Sequence, residues 1–247
     1  MTEQDKNTQD TVVFICAWNE EDSIGGVIDE LRTYVPDADI LVVNDGSKDQ
    51  TEKIAQSHGA SVVSFSENRG LQAAIAEGYH QALNRGYQYC GRIDADGQHR
   101  PQDLWAMLRA VKDDQCDVAI GSRFLPGSGE YTPEPERVIG TTVLRTLMKV
   151  RIGTPITDGT SGMYVVNQHA MRLLSIPYDV GAPEVQGILR LADAELRILE
   201  IPVSMRQREH GQSSFVGKRA VHLVASVAGA LLVGEGIRRR RRRKILS

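Results

Sequence analysis

The sequence predicts an α/β protein built on a mostly parallel sheet with helices on both faces, and three observations carry that expectation. From residue 11 to about 121, apolar β-branched runs alternate with helix-patterned segments. Each run hands over to a polar cluster at its carboxyl end, and no internal repeat or linker interrupts the alternation. Strands that are apolar on both sides need cover on both faces, the condition met by a parallel sheet wired through crossover helices.

The first strand is TVVFICA (11–17), followed by the helical EDSIGGVIDELRTY (21–34) and a second strand, DILVVND (39–45). SKDQTEKIAQSHG (47–59) is helical, ASVVSFS (60–66) a strand, and GLQAAIAEGYHQALNRG (70–86) a long helix. YQYCGRID (87–94), PQDLWAMLRAVKDD (101–114) and CDVAIGS (116–122) repeat the strand, helix, strand order, with Pro101 suited to a first helical turn. LPGSGEYTPEPE (125–136) reads as a mobile loop that could act as a lid. A helical VIGTTVLRTLMKV (138–150), a strand-like GTSGMYVVN (159–167), a helix from about Glu184 and a strand in ELRILEIPVSM (195–205) complete one domain over 11–215. Residues 1–10 read as a frayed tail, and 216–247 as an apolar helix with a basic end.

The composition of this 247-residue chain, 41% hydrophobic and 25% charged, is that of a globular protein with a full core. The net charge is −3, yet seven basic residues stand together at Arg238–Lys244; the remainder carries 22 basic against 32 acidic residues. A basic tail on an acidic body points to an anionic membrane surface. The acidic body, with no aromatic residues interleaved among the arginines, argues against nucleic acid as a partner. Cys16, Cys90 and Cys116 follow no metal-ligand spacing and read as reduced core residues of a cytosolic protein. The apolar stretch Ala220–Val233 would be roughly 21 Å long as a helix, short of the ~30 Å hydrocarbon core.

In parallel sheets ligands bind beyond the carboxyl ends of the strands, where this chain places WNEE, NDGSKDQT, ENRG, DADGQH and GSRF. Neither GxGxxG nor GxxxxGK[ST] occurs, so the usual dinucleotide and triphosphate loops are missing. Asp45 can accept hydrogen bonds from a nucleobase edge or ribose, while Ser47 and Asp49 either join it or cap the next helix. Glu20 has the same two options. Asp94, Asp96 and Gln98 offer hard oxygen donors at alternate positions, suited to Mg2+ or Mn2+ that borrows further ligands from a diphosphate. His99 is better read as a polar neighbour than as a ligand. Arg123 and Arg208 are candidate anion clamps.

CAWNEE, NDGSKDQT, ENRGLQAAIAEG, RIDADGQHRP, GSRF, DGTSGMYVVN and EIPVSMRQREHGQSS occur in the order and spacing of family 2 glycosyltransferases. Over residues 12 to about 215 the chain most closely resembles their dolichyl- or polyprenyl-phosphate sugar synthase branch. The resemblance implies a GT-A (Rossmann-like) fold, a nucleotide-diphosphate-sugar donor, a divalent metal and a polyprenyl phosphate acceptor, with a membrane subunit as a possible partner. It implies nucleoside contacts at Trp18 and Glu20 (family motif PxYNE) and a base and ribose pocket at Val43 and Asp45. Asp94, Ala95, Asp96 and Gln98 match DADxQ, which holds metal and diphosphate; Asp96 and Arg123 are the implied catalytic pair, and Arg123 and Arg208 the phosphate-facing arginines. Two donor-binding positions depart from the pattern: Cys16 replaces a proline, and Ser214 replaces the lysine of RxxGxSK, where Arg206 or Lys218 can substitute. Trp18 also stands in place of a tyrosine.

A phosphate monoester has a second pKa of about 6 and arrives already nucleophilic, so no general base is required and a single displacement inverts the anomeric centre. A hydroxyl acceptor needs a carboxylate base, and the region where relatives carry an acidic pair reads VGAPEVQGIL (180–189), with Glu184 its single carboxylate. Lipid phosphate is therefore the favoured acceptor, with a hydroxyl acceptor or a non-catalytic nucleotide-sugar scaffold as the alternatives. The implied location is cytoplasmic, peripheral at the inner face of the membrane.

Overall fold

The computed structural model describes residues 10–129, 156–178 and 183–206. Within them lie strands β1 (Thr11–Ala17), β2 (Ala38–Asn44), β3 (Ser61–Ser64), β4 (Tyr89–Asp94), β5 (Val118–Ser122), β6 (Tyr164–Asn167) and β7 (Ile198–Pro202). The helices are α1 (Ile24–Tyr34), α2 (Thr51–Ser57), α3 (Leu71–Asn84), α4 (Leu104–Lys112), α5 (Gln168–Leu174) and α6 (Pro183–Asp193), with a 3₁₀ turn at Pro101–Asp103 ahead of α4. The lid expected within 125–136 lies outside the described residues from position 130 onward. So do the helix expected over 138–150, the N-terminal tail to residue 9, and everything after Arg206, including Arg208, Ser214, Lys218 and the basic run.

The sheet has the order β3-β2-β1-β4-β6-β5-β7. Pairing is parallel between β1 and β2, β1 and β4, β2 and β3, and β5 and β7. The expected mostly parallel sheet is present, with one departure: β6 runs antiparallel to both neighbours, β4 and β5. Periodicity could not have shown this, because YVVN is buried on both faces like the parallel strands β4 and β5 beside it.

Alternation along the strands divides the core in two. Val12, Phe14 and Cys16 of β1 face α3, α5 and α6, whose Ile75, Tyr79, Met171 and Ile188 are buried against them. Val13, Ile15 and Ala17 face α1 and α4, through Ile24, Ile28, Leu31, Leu104 and Met107. Both faces are covered, as the doubly apolar strands require. The register sets Cys16 beside Asp94 and Ala17 beside Asn44, so the segments leaving β1, β2 and β4 emerge side by side.

Candidate active site

Those three exits enclose a cavity of about 320 Å³. Its wall takes Cys16, Ala17, Trp18 and Glu20 from the end of β1, Asp45 after β2, and Asp94, Ala95 and Asp96 after β4, and is completed by Asn68, Gly70, Leu71 and Ala74 at the start of α3. Seven residues anticipated from the clusters thus meet at one edge, with Ala17, never singled out, beside them. The α3 contribution was signalled only by the ENRG cluster, without any residue assigned.

Local hydrogen bonding explains why the edge holds its shape. The carboxylate of Asp45 is buried and accepts the backbone N–H of Arg69 at 2.6 Å and of Gly70 at 2.9 Å, fixing the loop that leads into α3. Glu20 lines the cavity, and its Oε2 accepts the Ser23 hydroxyl at 3.1 Å ahead of α1, whose N-terminus takes no side-chain cap. Ser47 and Asp49 tie loops together, Ser47 Oγ accepting Asn19 N–H at 2.9 Å and Asp49 accepting N–H groups of Thr51 and Glu21. Neither is on the cavity wall. Trp18 is 53% exposed there, a free aromatic face at the mouth. Cys16 is buried, and burial pushes its thiol up to about 12, so it is a packing residue rather than a nucleophile.

Asp94 is held from several sides. Its backbone N–H donates to His99 Nδ1 at 3.2 Å, which makes buried His99 the polar neighbour expected. Gly162 approaches so closely that a Cβ there would lie 2.2 Å from Asp94 Oδ2. Arg92, two residues earlier on the same face of β4, is 3% exposed; its Nη2 lies 2.9 Å from Glu184 Oε1 and 3.9 Å from Asp94 Oδ1. Burial works against its charge, and Glu184 and Asp94 more than offset this, raising the guanidinium above its ordinary value. Sequence reading did not single out Arg92, because one arginine in a strand carries no pattern.

Three anticipated residues are not on the cavity wall. Val43 is fully buried in the core and is not on the cavity wall, since its side chain points into the sheet–helix interface. Gln98 donates its amide Nε2 to the Arg206 carbonyl at 3.3 Å; Asp94 and Asp96, but not Gln98, line the cavity. Arg123 is buried beside Asp158, with Nε 2.7 Å from Oδ2 and Nη2 2.6 Å from Oδ1, and is not on the wall either. Asp158 is held in turn by Glu200, which accepts its N–H at 2.8 Å and that of Thr157 at 2.7 Å. Arg206, considered as a substitute for the missing lysine, pairs with Glu30 at 2.6 Å.

Two hard carboxylates on one wall fit Mg2+ or Mn2+. Among the described residues no three His, Cys, Asp or Glu side chains converge to enclose a metal. The donor set therefore suits an ion that completes its shell from water or a bound phosphate.

A family model described as Glycosyl transferase family 2 matches residues 12–173. The chain is 30% identical over 243 residues to undecaprenyl-phosphate mannosyltransferase of Micrococcus luteus, covering 93% of this chain and 98% of that one. It is 29% identical over 234 residues to polyprenol monophosphomannose synthase of Mycolicibacterium smegmatis, covering 90% and 86%. Among solved structures, glucosyl-3-phosphoglycerate synthase from Mycobacterium tuberculosis, in complex with Mn2+, uridine diphosphate and glucosyl-3-phosphoglycerate, superimposes with a TM-score of 0.69 at 20% identity. That match covers 92% of this chain and 80% of the other, and carries the fold alone, a GT-A architecture. The matched segment contains all of β1 but Thr11, β2 through β6 and every residue of the cavity wall, so the chain belongs to glycosyl transferase family 2.

Proposed function

We propose that this glycosyltransferase is metal-dependent and inverting, and moves a sugar from a nucleotide-diphosphate-sugar to a polyprenyl phosphate at the cytoplasmic membrane face. The observation that carries the reading is the shared wall of Asp94, Asp96, Asp45, Glu20 and Trp18 around one cavity. The names of the two relatives, both polyprenyl-phosphate mannosyl enzymes, support the acceptor class. Mn2+ and uridine diphosphate in the structural neighbour support the metal and donor classes.

In this reading Trp18 offers a stacking face to the nucleobase, and Asp45 and Glu20 offer acceptors to the nucleoside. Asp94 and Asp96 hold the divalent cation, which when bound supplies positive charge against the departing diphosphate. Glu184 is engaged by Arg92, which favours an acceptor that arrives already ionised over a hydroxyl needing a base. Positioning and electrostatics then account for the rate.

The test incubates purified protein with a panel of nucleotide sugars, Mg2+ or Mn2+ and a short polyprenyl phosphate, with Asp96→Ala as control. A glycosyl phosphate of inverted anomeric configuration, absent with the variant or with chelator, is expected. Transfer to a hydroxyl acceptor in preference, or undiminished transfer by Asp96→Ala, would overturn the reading.

A further inference from the structure

Glu184 faces the cavity's charged wall from behind, across Arg92. The guanidinium lies between two carboxylates, close to Glu184 Oε1 at 2.9 Å and farther from Asp94 Oδ1 at 3.9 Å. It is 3% exposed and cannot relieve its burial by releasing a proton, so it must take whichever carboxylate is available. It has donors to spare: Arg92 Nε is buried without a hydrogen-bond partner among the described residues. Asp94, for its part, is 35% exposed, with His99 Nδ1 3.8 Å from Oδ2 and Gly162 so near that a Cβ there would lie 2.2 Å from the same oxygen.

We infer that Glu184 is a positioning residue that holds Arg92 off Asp94, and that the Arg92–Glu184 pair thereby sets how tightly the Asp94 and Asp96 wall holds a divalent cation. The inference rests on the metal-dependent reading above. Asp94, Asp96 and Glu184 with Arg92 leave two negative charges, matched to a dication. Without the Glu184 charge, Arg92 closes on Asp94 and competes with the metal for it. Without the Arg92 charge, Asp94 is fully released and Glu184 adds to the negative field. Removing both restores the original balance.

The signs of these effects make the test. Mn2+ binding is followed by electron paramagnetic resonance of the free ion, with Mn2+ alone and again with UDP or GDP, for the whole chain and for Glu184→Gln, Arg92→Met, Arg92→Lys and the Glu184→Gln/Arg92→Met double variant. Glu184→Gln should weaken Mn2+ binding and Arg92→Met should tighten it. Each change should be on the order of tenfold, the scale of one charge acting on a dication through a partly solvated site. Arg92→Lys, which keeps the charge, and the double variant should both lie close to the parent. Thermal melting checks that each variant is folded; if Arg92→Met is not, Arg92→Lys and Glu184→Gln still decide. Weakening in both single variants with further weakening in the double would mean the pair only supports the fold, and would overturn the inference. Failure of the parent chain to bind Mn2+ in either condition would overturn the metal-dependent reading, and this inference with it.

Discussion

At Asp94 the approach of Gly162 leaves no space for a methyl group, since a Cβ would lie 2.2 Å from Oδ2 and 3.0 Å from His99 Cε1. Gly162→Ala should therefore push the carboxylate out of place while disturbing little else, because position 162 otherwise lies at a loop leading into β6. We expect turnover to fall at least about tenfold, as small misplacements of reacting groups do, with the melting temperature lowered by only a few degrees. Parallel assays of turnover and melting check this, and unchanged turnover would separate Gly162 from the site. The position was not legible in the sequence beyond its place in DGTSGMYVVN, because close approach is a property of two segments that are 68 residues apart, Asp94 and Gly162. Asp94, Asp96, Asp45, Glu20 and Trp18 were legible, since each lies at or within three residues of the carboxyl end of a strand and strand ends converge in a parallel sheet. Gln98 and Arg123 are off the cavity wall, and their partners, the Arg206 carbonyl and Asp158, come from distant segments that no local pattern links to them.

Among the elements, the far end of the sheet is joined by Asp117, just before β5. Its Oδ1 accepts from Asn167 Nδ2 at 2.9 Å at the end of β6, and its Oδ2 accepts Arg197 N–H at 2.9 Å just ahead of β7. Hydrogen bonding from Arg197 holds the Asp117 carboxyl below the ordinary aspartate value of 3.8, against the opposing effect of burial. A carboxyl lowered in the folded state stabilises above its unfolded value and loses that contribution as pH falls through the folded one. Asp117→Asn should thus melt a few degrees below the parent at neutral pH, and the gap should narrow as pH drops beneath 3.8. Melting curves from pH 7 to 3 for both chains test this; a gap that widens in acid would contradict it. Asn167 also caps α5 by accepting Ala170 N–H at 3.0 Å, so one residue links a strand end to a helix start. The expected elements from 11 to 122 were legible because hydrophobic period and turn residues agree there. The antiparallel sense of β6 was not, because strand direction is set by the connection and not by composition.

For the whole molecule, the acidic body and basic tail of the sequence bear on attachment to lipid. Among the described residues no helix is long and apolar enough to cross a membrane. Replacing Arg238–Arg243 with serine should lower partitioning onto anionic vesicles and slow transfer to a long-chain lipid acceptor, while transfer to a short, detergent-soluble acceptor stays near normal. Vesicle sedimentation and paired assays decide; equal loss on both acceptors would assign the tail to the fold or the site. The strand order has a consequence of its own for biosynthesis. β3, β2, β1 and β4 pair among themselves, and all lie before residue 95. β5 pairs only with β6 and β7, so among the described strands its partners emerge from the ribosome after it does, and the outer edge of β4 waits for β6 as well. At about 5–20 residues per second, the roughly 70 residues between β4 and β6 leave that edge unpaired for several seconds of translation. A nascent half-sheet with an open backbone edge is a template for mispairing with other chains. Inserting one strand backwards between two older ones thus gives this protein a period of vulnerability during synthesis, in which chaperone protection of the first half would matter most.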